Sequence, residues 1–177
     1  REGVALRYFQ RGGGREVPDP HIWLDPKRVK VQAATICKAL CRLAPRNCPR
    51  FRDNLASFHD DLDRLDRKIA DLLAPLEGRT FYVFHPAFGY FGESYGLKQV
   101  AVEMEGKTPK PAQLKALITD ARRYRIKVLF MQPQVSAKIA EQVAREIGAH
   151  VVRVDPLAME WEQNLRDVAE KFRQAME

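Results

Sequence analysis

The apolar residues that follow Pro26 recur in steps of four and three, which is the spacing of one face of an α-helix. Pro26 suits the first turn of a helix, and Asp25 is the predicted cap at its amino end. Pro45 interrupts the pattern, so we predict that the helix ends near this residue. Its apolar face consists of Val29, Ala33, Ile36, Leu40 and Leu43.

A second helical pattern follows Asn47 and is the strongest periodic signal in the chain. Charged residues fill the positions between its apolar ones, as on an amphipathic helix. If the pattern continues to Ala74, the helix has about 27 residues and is roughly 40 Å long. This length favours a rigid connection between two parts of the molecule. The apolar positions are Phe51, Leu55, Phe58, Leu62, Leu65, Ile69 and Leu72.

Beyond Pro75, short apolar runs alternate with helical patterns. We predict strands at 80–84, 99–102, 127–131 and 151–154 and helices at 112–124, 136–147 and 160–175. This alternation predicts an α/β fold with a mostly parallel sheet and right-handed crossovers. By contrast, residues 1–20 contain several Gly and Pro residues and no period, so we expect a flexible connection there.

Three of the predicted strands end at a polar residue that precedes a proline, namely His85, Gln132 and Asp155. Proline disfavours the α conformation of the preceding residue, so each polar side chain is held extended at the carboxyl end of its strand. In a parallel sheet these ends share one edge, where the binding sites of open α/β sheets form. We therefore expect the three side chains to converge, with Asp19-Pro20-His21 approaching from outside the sheet.

Two imidazoles and one carboxylate on such rigid segments suit a divalent cation. We take His21, His85 and Asp155 as candidate metal ligands, and the two imidazoles favour Zn²⁺ over Mn²⁺. A structural explanation stays open, because a single His at a strand end is usually structural and Asp before Pro is common in turns. His59 and His150 have weaker positions in the pattern and are not proposed as ligands.

Several other residues lie near the candidate ligands in sequence. Glu103 and Glu105 precede a turn that contains Gly and Pro, and we expect both to face water, with a loop that borders the crevice as the alternative. Aromatic residues flank the two histidines and form either core or a wall of the site: Trp23, Phe88, Tyr90 and Phe91. No nucleophile elbow, P-loop, dinucleotide-binding glycine motif or H-E-x-x-H motif is present, so nothing points to catalysis.

Composition and charge narrow the classes of protein further. The 177 residues, 45% of them hydrophobic, allow one packed domain or two small ones. No apolar run exceeds four residues, so we expect no membrane span. The net charge of +7 arises in residues 1–52, which carry 12 Lys and Arg against 4 Asp and Glu. Without a base-stacking or groove-reading motif, this excess indicates a basic solvated surface and no nucleic-acid partner.

Three cysteines, Cys37, Cys41 and Cys48, lie within twelve residues. Cys37 and Cys41 are one helical turn apart and suit a helix core, while Cys48 follows a proline break and can fold back to either. In an oxidising compartment we favour a Cys41–Cys48 disulfide. A zinc knuckle is disfavoured because no fourth ligand stands nearby at the usual spacing.

Six motifs occur along the chain in a fixed order. They are Asp19-Pro-His-Ile-Trp-Leu-Asp-Pro26, Asn54-Leu55 with the helix that follows, Phe84-His-Pro-Ala-Phe-Gly-Tyr-Phe91, Glu103-Met-Glu-Gly-Lys107, Gln132-Pro-Gln134 and Val154-Asp-Pro-Leu157. From about Val17 to its end, the chain in this respect resembles the zinc- and manganese-binding solute-binding proteins of bacterial ABC importers. Six ordered motifs are far more specific than any one of them.

The resemblance implies two α/β lobes joined by one long helix, with a metal ion held between the lobes. Residues 1–45 would end the N-terminal lobe, 46–75 would form the linker helix, and 76–177 the C-terminal α/β lobe. The resemblance also implies that His21 and His85 are metal ligands, with Asp155 a carboxylate ligand or close neighbour. Manganese members typically carry Glu at the position of His85, so the chain resembles the zinc type.

The implied function is the capture of zinc for delivery to an ABC importer permease, without catalysis. The implied location is the periplasm or an extracytoplasmic membrane surface, reached through the permease or through a lipid anchor outside this chain. An upstream part of the first lobe, with another His ligand, is also implied. Two departures from the family pattern are Gly12-Gly-Gly-Arg15 in place of a His-rich loop and Gln132 where an acidic residue is frequent.

Two other functions stay open from the sequence. One is a zinc-dependent α/β hydrolase in the same crevice, with Glu103, Glu105 or Asp155 as the general base. The other is an adhesin or partner-binding module with the same fold.

Overall fold

A short hairpin opens the computed structural model, which describes residues 2–11, 15–103 and 110–177. Strand β1 (Tyr8–Arg11) pairs with β2 (Arg15–Pro18) in an antiparallel register that places Phe9 opposite Val17. The backbone N–H of Asp19 then donates to the carbonyl of Arg7 at 2.8 Å. The prediction of a flexible connection is therefore wrong for the residues that pair, because cross-strand hydrogen bonding needs no long apolar period.

Two helices follow the hairpin, after a short 3₁₀ turn at Ile22–Leu24. Helix α1 (Pro26–Leu43) starts at the predicted Asp25 cap, whose side chain accepts from the backbone N–H of Lys27 at 3.0 Å. After a turn at Pro45–Asn47, helix α2 (Cys48–Leu73) runs for 26 residues, so both helix predictions are confirmed. The division into lobes at 45 and 75 stays a prediction.

A disulfide joins the last turn of α1 to the first residue of α2. It links Cys41 to Cys48, whose Cα atoms are 4.6 Å apart, so the favoured pairing is confirmed. The remaining thiol, Cys37, is buried and free. A closed loop of this kind restricts the unfolded chain and keeps the α1–α2 corner together.

The rest of the chain forms the predicted parallel α/β layer. Strands β3 (Thr80–Val83), β4 (Lys98–Ala101), β5 (Val128–Met131) and β6 (His150–Arg153) are all parallel, in the order β4-β3-β5-β6. The helices are α3 (Gly89–Ser94), α4 (Pro111–Arg123), α5 (Ala137–Ile147) and α6 (Trp161–Met176). The sequence missed α3, since six residues are too few to show a period.

Two apolar layers cover the faces of this sheet. Because side chains alternate along a strand, Phe81 and Val83 face one layer and Tyr82 faces the other. The first layer contains the second half of α2, with α3 and α6; Phe172 of α6 stacks on Phe130 with ring centroids 4.0 Å apart. The second layer contains α4 and α5. The sheet is thus held rigidly from both sides.

The strand order places the predicted polar residues together. Strands β3 and β5 are neighbours in the middle of the sheet, so the residues that follow them, His85 and Gln132, meet at its carboxyl edge. In the described part of the chain, none of the helices combines the length and the apolar character needed to cross a membrane.

Candidate metal centre

His21 is oriented by the aspartate two residues before it. The buried Oδ1 of Asp19 accepts from the backbone N–H of His21 at 2.9 Å and lies 2.7 Å from its Nδ1. This is the local turn that an Asp-Pro-x segment favours. With Nδ1 held by the carboxylate, the free nitrogen of the ring, Nε2, faces away from Asp19.

His85 is held by its backbone and by its ring. The side-chain amide of Gln132 accepts from the backbone N–H of His85 at 3.2 Å and donates to its carbonyl at 2.8 Å. Oε1 of Glu103 lies 2.5 Å from Nδ1 of the ring. Gln132, at the position where the resemblance implies an acidic residue, thus forms two hydrogen bonds to the backbone of His85. An Asp or Glu at this position would lack the amide N–H that donates to the carbonyl.

The two imidazoles meet through their remaining nitrogens. Nε2 of His21 lies 3.3 Å from Nε2 of His85, and the ring centroids are 5.2 Å apart. If each Nδ1 carries the proton that its carboxylate attracts, both Nε2 atoms present lone pairs to each other. Two nitrogens bound at about 2.0–2.1 Å to a tetrahedral Zn²⁺ lie about 3.3 Å apart, so the observed separation fits one ion between them.

A cavity of about 440 Å³ opens beside the two histidines. Its apolar wall includes Trp23, whose indole N–H donates to the carbonyl of Pro156 at 2.9 Å. The indole of Trp161 in turn donates to the carbonyl of Trp23 at 2.8 Å, so the segment that carries His21 is tied to the sheet edge. The lining residues are His21, Trp23, His85, Glu103, Gln132, Gln134, Val135, Pro156 and Leu157.

Asp155, the third predicted ligand, directly precedes Pro156, which lines this cavity. Its Oδ1 accepts from the backbone N–H of Leu157 at 2.9 Å and from the amide of Gln134 at 3.3 Å. Within residues 2–11, 15–103 and 110–177, no group of three His, Cys, Asp or Glu side chains is arranged to hold a metal. Direct coordination by Asp155 therefore stays a prediction.

The prediction that Glu103 faces water is wrong. Its side chain is 12% exposed and bonds His85, because β4 lies next to β3 and their carboxyl ends therefore share one corner. Glu103 follows β4 as His85 follows β3, but it lacks the proline that marks the other three strand ends in the sequence. Glu105 lies outside the described residues.

The two remaining histidines lie away from the site, and most of the aromatic residues near the ligands belong to the core. Nε2 of His59 lies 3.1 Å from the carbonyl of Lys30, and the exposed His150 begins β6 at the opposite edge of the sheet. Phe88, Tyr90 and Phe91 are fully buried core residues, whereas Trp23 is a wall of the site.

Tyr90 connects the amino-terminal segment to the site. Its hydroxyl accepts from the backbone N–H of Arg7 at 2.9 Å and donates to the carbonyl of Asp19 at 3.1 Å. Burial raises the pKa of Tyr90 above its usual value, so the hydroxyl keeps its proton and remains a donor. Neighbouring Gly89 admits a close approach: a Cβ there would stand 2.8 Å from Nε of Arg7 and 3.1 Å from Oδ2 of Asp19.

The fold and the cleft at the carboxyl edge of the sheet are those of a solute-binding protein. A solved structure of ZnuA is 41% identical, with a TM-score of 0.91, over 99% of this chain and 68% of that one. The laminin-binding protein Lbp of Streptococcus pyogenes is 30% identical, with a TM-score of 0.81, over 90% of this chain and 65% of that one.

The sequence comparisons agree with the structural ones. Residues 2–175 match the family described as the periplasmic zinc-uptake complex component A, ZnuA, and the chain belongs to this family. The high-affinity zinc uptake system protein ZnuA of Brucella abortus (strain 2308) is 31% identical over 145 residues, which is 80% of this chain and 43% of that protein. The chain thus spans less than half the length of this curated relative.

Proposed function

We propose that this chain is the zinc-binding part of a solute-binding protein that serves an ABC importer. Zn²⁺ is its cargo, held between Nε2 of His21 and Nε2 of His85. The observation that carries this proposal is the 3.3 Å separation of these two nitrogens, each on a ring whose other nitrogen is held by a carboxylate. A carboxylate on Nδ1 raises the basicity of Nε2 and fixes its direction, as around protein-bound zinc.

Asp155 supplies the carboxylate of the proposed ligand set. Its Oδ1 accepts from Gln134 and Leu157, two residues that line the same cavity as His21 and His85. Two imidazoles and one carboxylate are ligands that zinc accepts, and manganese prefers sites richer in oxygen. The chain therefore favours Zn²⁺, with Mn²⁺ as the weaker alternative.

The proposed partner is a membrane permease of the ABC type, and the proposed compartment is the periplasm or another extracytoplasmic space. The family description and the name of the Brucella relative both refer to zinc uptake. The Cys41–Cys48 disulfide supports an oxidising compartment. Attachment to the membrane would come through the permease or through an anchor outside this chain.

The two other hypotheses are less favoured. A hydrolase would need a general base beside a zinc-bound water, and Glu103 is already engaged by His85. A role in adhesion rests only on the likeness to laminin-binding proteins such as Lbp and the adhesin Lmb of Streptococcus agalactiae. Zinc-dependent ester hydrolysis that is lost in His85→Ala would revive the first hypothesis.

Thermal unfolding with and without zinc tests the proposal. Zinc at 100 times its Kd should stabilise the native chain by about 2.7 kcal/mol, which raises the Tm by roughly 5–10 °C. His85→Ala should abolish this rise, while His150→Ala, which removes an exposed imidazole, should retain it. An equal rise in both variants, or none in the unsubstituted chain, would contradict the proposal.

A further inference from the structure

A second large cavity lies at the amino edge of the sheet, opposite the candidate metal centre. It has a volume of about 590 Å³, within the usual range of small-molecule sites. Four cationic side chains surround it: Arg79, Lys98, Arg125 and Lys127. We call this cavity the amino-edge groove.

The cations stand where neighbouring strands begin. Arg79 directly precedes β3, Lys98 is the first residue of β4, and Lys127 directly precedes β5. The strand order β4-β3-β5 places these positions side by side, and the backbone N–H of Lys98 donates to the carbonyl of Arg79 at 2.9 Å. Strands lie about 4.8 Å apart, so the three positive charges form a short row along the edge.

In the described part of the chain, no carboxylate forms an ion pair with any of the four cations. The guanidinium of Arg79 donates to the carbonyl of Met176, and the carboxylate of Glu177, which also lines the groove, is held by Arg173 at 2.8 Å. Like charges this close repel one another, and a bound anion would remove the repulsion.

Arg125 carries the fourth cation and follows helix α4 with φ of 51°, a left-handed conformation that suits glycine. Helices commonly end in this way, and the backbone N–H of Ile126 donates to the carbonyl of Ala121 at 2.8 Å. The equivalent position after α5 is a glycine, Gly148, with φ of 75°. The helix end thus places a cation in the lining of the groove, at a position where glycine would also fit.

The floor of the groove is apolar. Its partly exposed apolar residues are Ile126, Ala175 and Met176, and the half-exposed Tyr124 also lines it. The buried side chains of Phe81, Val128 and Phe130 lie behind this surface. We propose that the amino-edge groove binds a small organic anion that has a flat apolar body and at least two negative groups. The apolar body would lie on the floor, and the negative groups would face the row of cations.

Fluorescence titration with bis-ANS, an aromatic disulfonate, tests this proposal in the 177-residue chain with EDTA present, so that metal binding plays no part. Lys98→Gln and Lys127→Gln should each weaken binding about tenfold, the effect of one charge-assisted contact. Lys68→Gln, which makes the same charge change on the exposed side of α2, should leave the affinity unchanged. Inorganic phosphate, which has no apolar body, should compete poorly.

Arg125→Gly distinguishes a loss of anion binding from a loss of folding stability. Glycine relieves the left-handed strain, so the Tm should stay the same or rise while bis-ANS binds more weakly. The proposal is overturned if the unsubstituted chain shows no saturable binding, if Lys98→Gln and Lys68→Gln bind equally, or if phosphate competes as well as a flat dicarboxylate. None of these outcomes affects the zinc proposal, which depends on the other edge of the sheet.

Discussion

The carboxyl and amino edges of the same four-stranded sheet carry opposite patterns of charged side chains. At the carboxyl edge, His21 and His85 each have one ring nitrogen paired with a carboxylate. At the amino edge, Lys98 and Lys127 stand beside Arg79 without a carboxylate partner in the described part of the chain. These charge patterns suit the cation proposed for one edge and the anion proposed for the other.

The difference shows how a parallel sheet separates two sites. All four strands point the same way, so every residue that follows a strand lies at one edge and every residue that precedes a strand lies at the other. The four-residue strands lie between the two edges and keep them apart. Each edge can therefore acquire its own charge pattern while the core stays the same, and substitutions in the core and at each edge should have separable effects.

Truncation of Phe172, a core residue packed against the sheet, should have the largest effect on stability. Phe172 is fully buried and packs against Phe81, Phe88, Phe91 and Phe130. Phe172→Ala should lower the free energy of unfolding by about 3–5 kcal/mol, measured by denaturant titration, and should weaken ligand binding at both edges together. Phe58→Ala, at a 40% exposed position, is the control and should cost far less. If ligand binding weakened at one edge alone, the sheet would not couple the two sites.

Loss of one carboxylate at the carboxyl edge should weaken zinc binding and leave anion binding at the amino edge unchanged. Asp19→Asn keeps the shape of the side chain but removes the charge that orients and polarises the ring of His21. Zinc affinity, measured by competition with a chelating dye, should fall about 10- to 100-fold. Asp71→Asn, on the exposed side of α2, controls for the change in net charge. Unchanged zinc affinity in Asp19→Asn would mean that Asp19 is only a turn residue.

An alkaline test distinguishes the core from both edges. Burial raises the pKa of Tyr82 from its usual value to about 12. Because the unfolded chain gives up this proton more readily, the native state should lose stability as the pH rises from about 10 to about 12. Tyr82→Phe should reduce that loss and should raise stability by up to about 1 kcal/mol at neutral pH, since the buried hydroxyl has no hydrogen-bond partner in the described chain.

Denaturant titrations at several pH values measure this effect, and Tyr8→Phe, at a half-exposed position, is the matched control. Zinc binding at neutral pH should be the same in Tyr82→Phe and in the unsubstituted chain, because Tyr82 faces the second apolar layer. An alkaline loss of stability in Tyr82→Phe as large as in Tyr8→Phe would contradict the prediction.

The smallest effect is expected from the cations of the amino edge in the absence of a ligand. Lys98→Gln removes part of the repulsion in the row and should raise stability by about 0.3 kcal/mol at low salt. The gain should disappear at high salt, because salt screens exposed charges. Lys68→Gln should show no such salt dependence. A loss of stability in Lys98→Gln would mean that the row is already compensated.

The sequence predicts more of the fold than of the site. The apolar periods located both long helices and the four strands within one or two residues, and the cysteine spacing indicated the disulfide that forms. The hairpin of residues 8–18 is not predicted by the sequence pattern, because its strands are short and are held together by hydrogen bonds instead of an apolar period. The edge rule brought His85 and Gln132 together, and the approach of His21 was also anticipated.

Local order along the chain determined the elements, because helix and strand periods, caps and proline breaks act over a few residues. Only the tertiary structure decided that β4 lies beside β3, and hence that Glu103 meets His85, and that the amide of Gln132 holds a backbone and not an ion. It also decided that Arg79, Lys98 and Lys127 form one row. Such contacts join residues far apart in sequence, and their free energy depends on packing that no single segment contains.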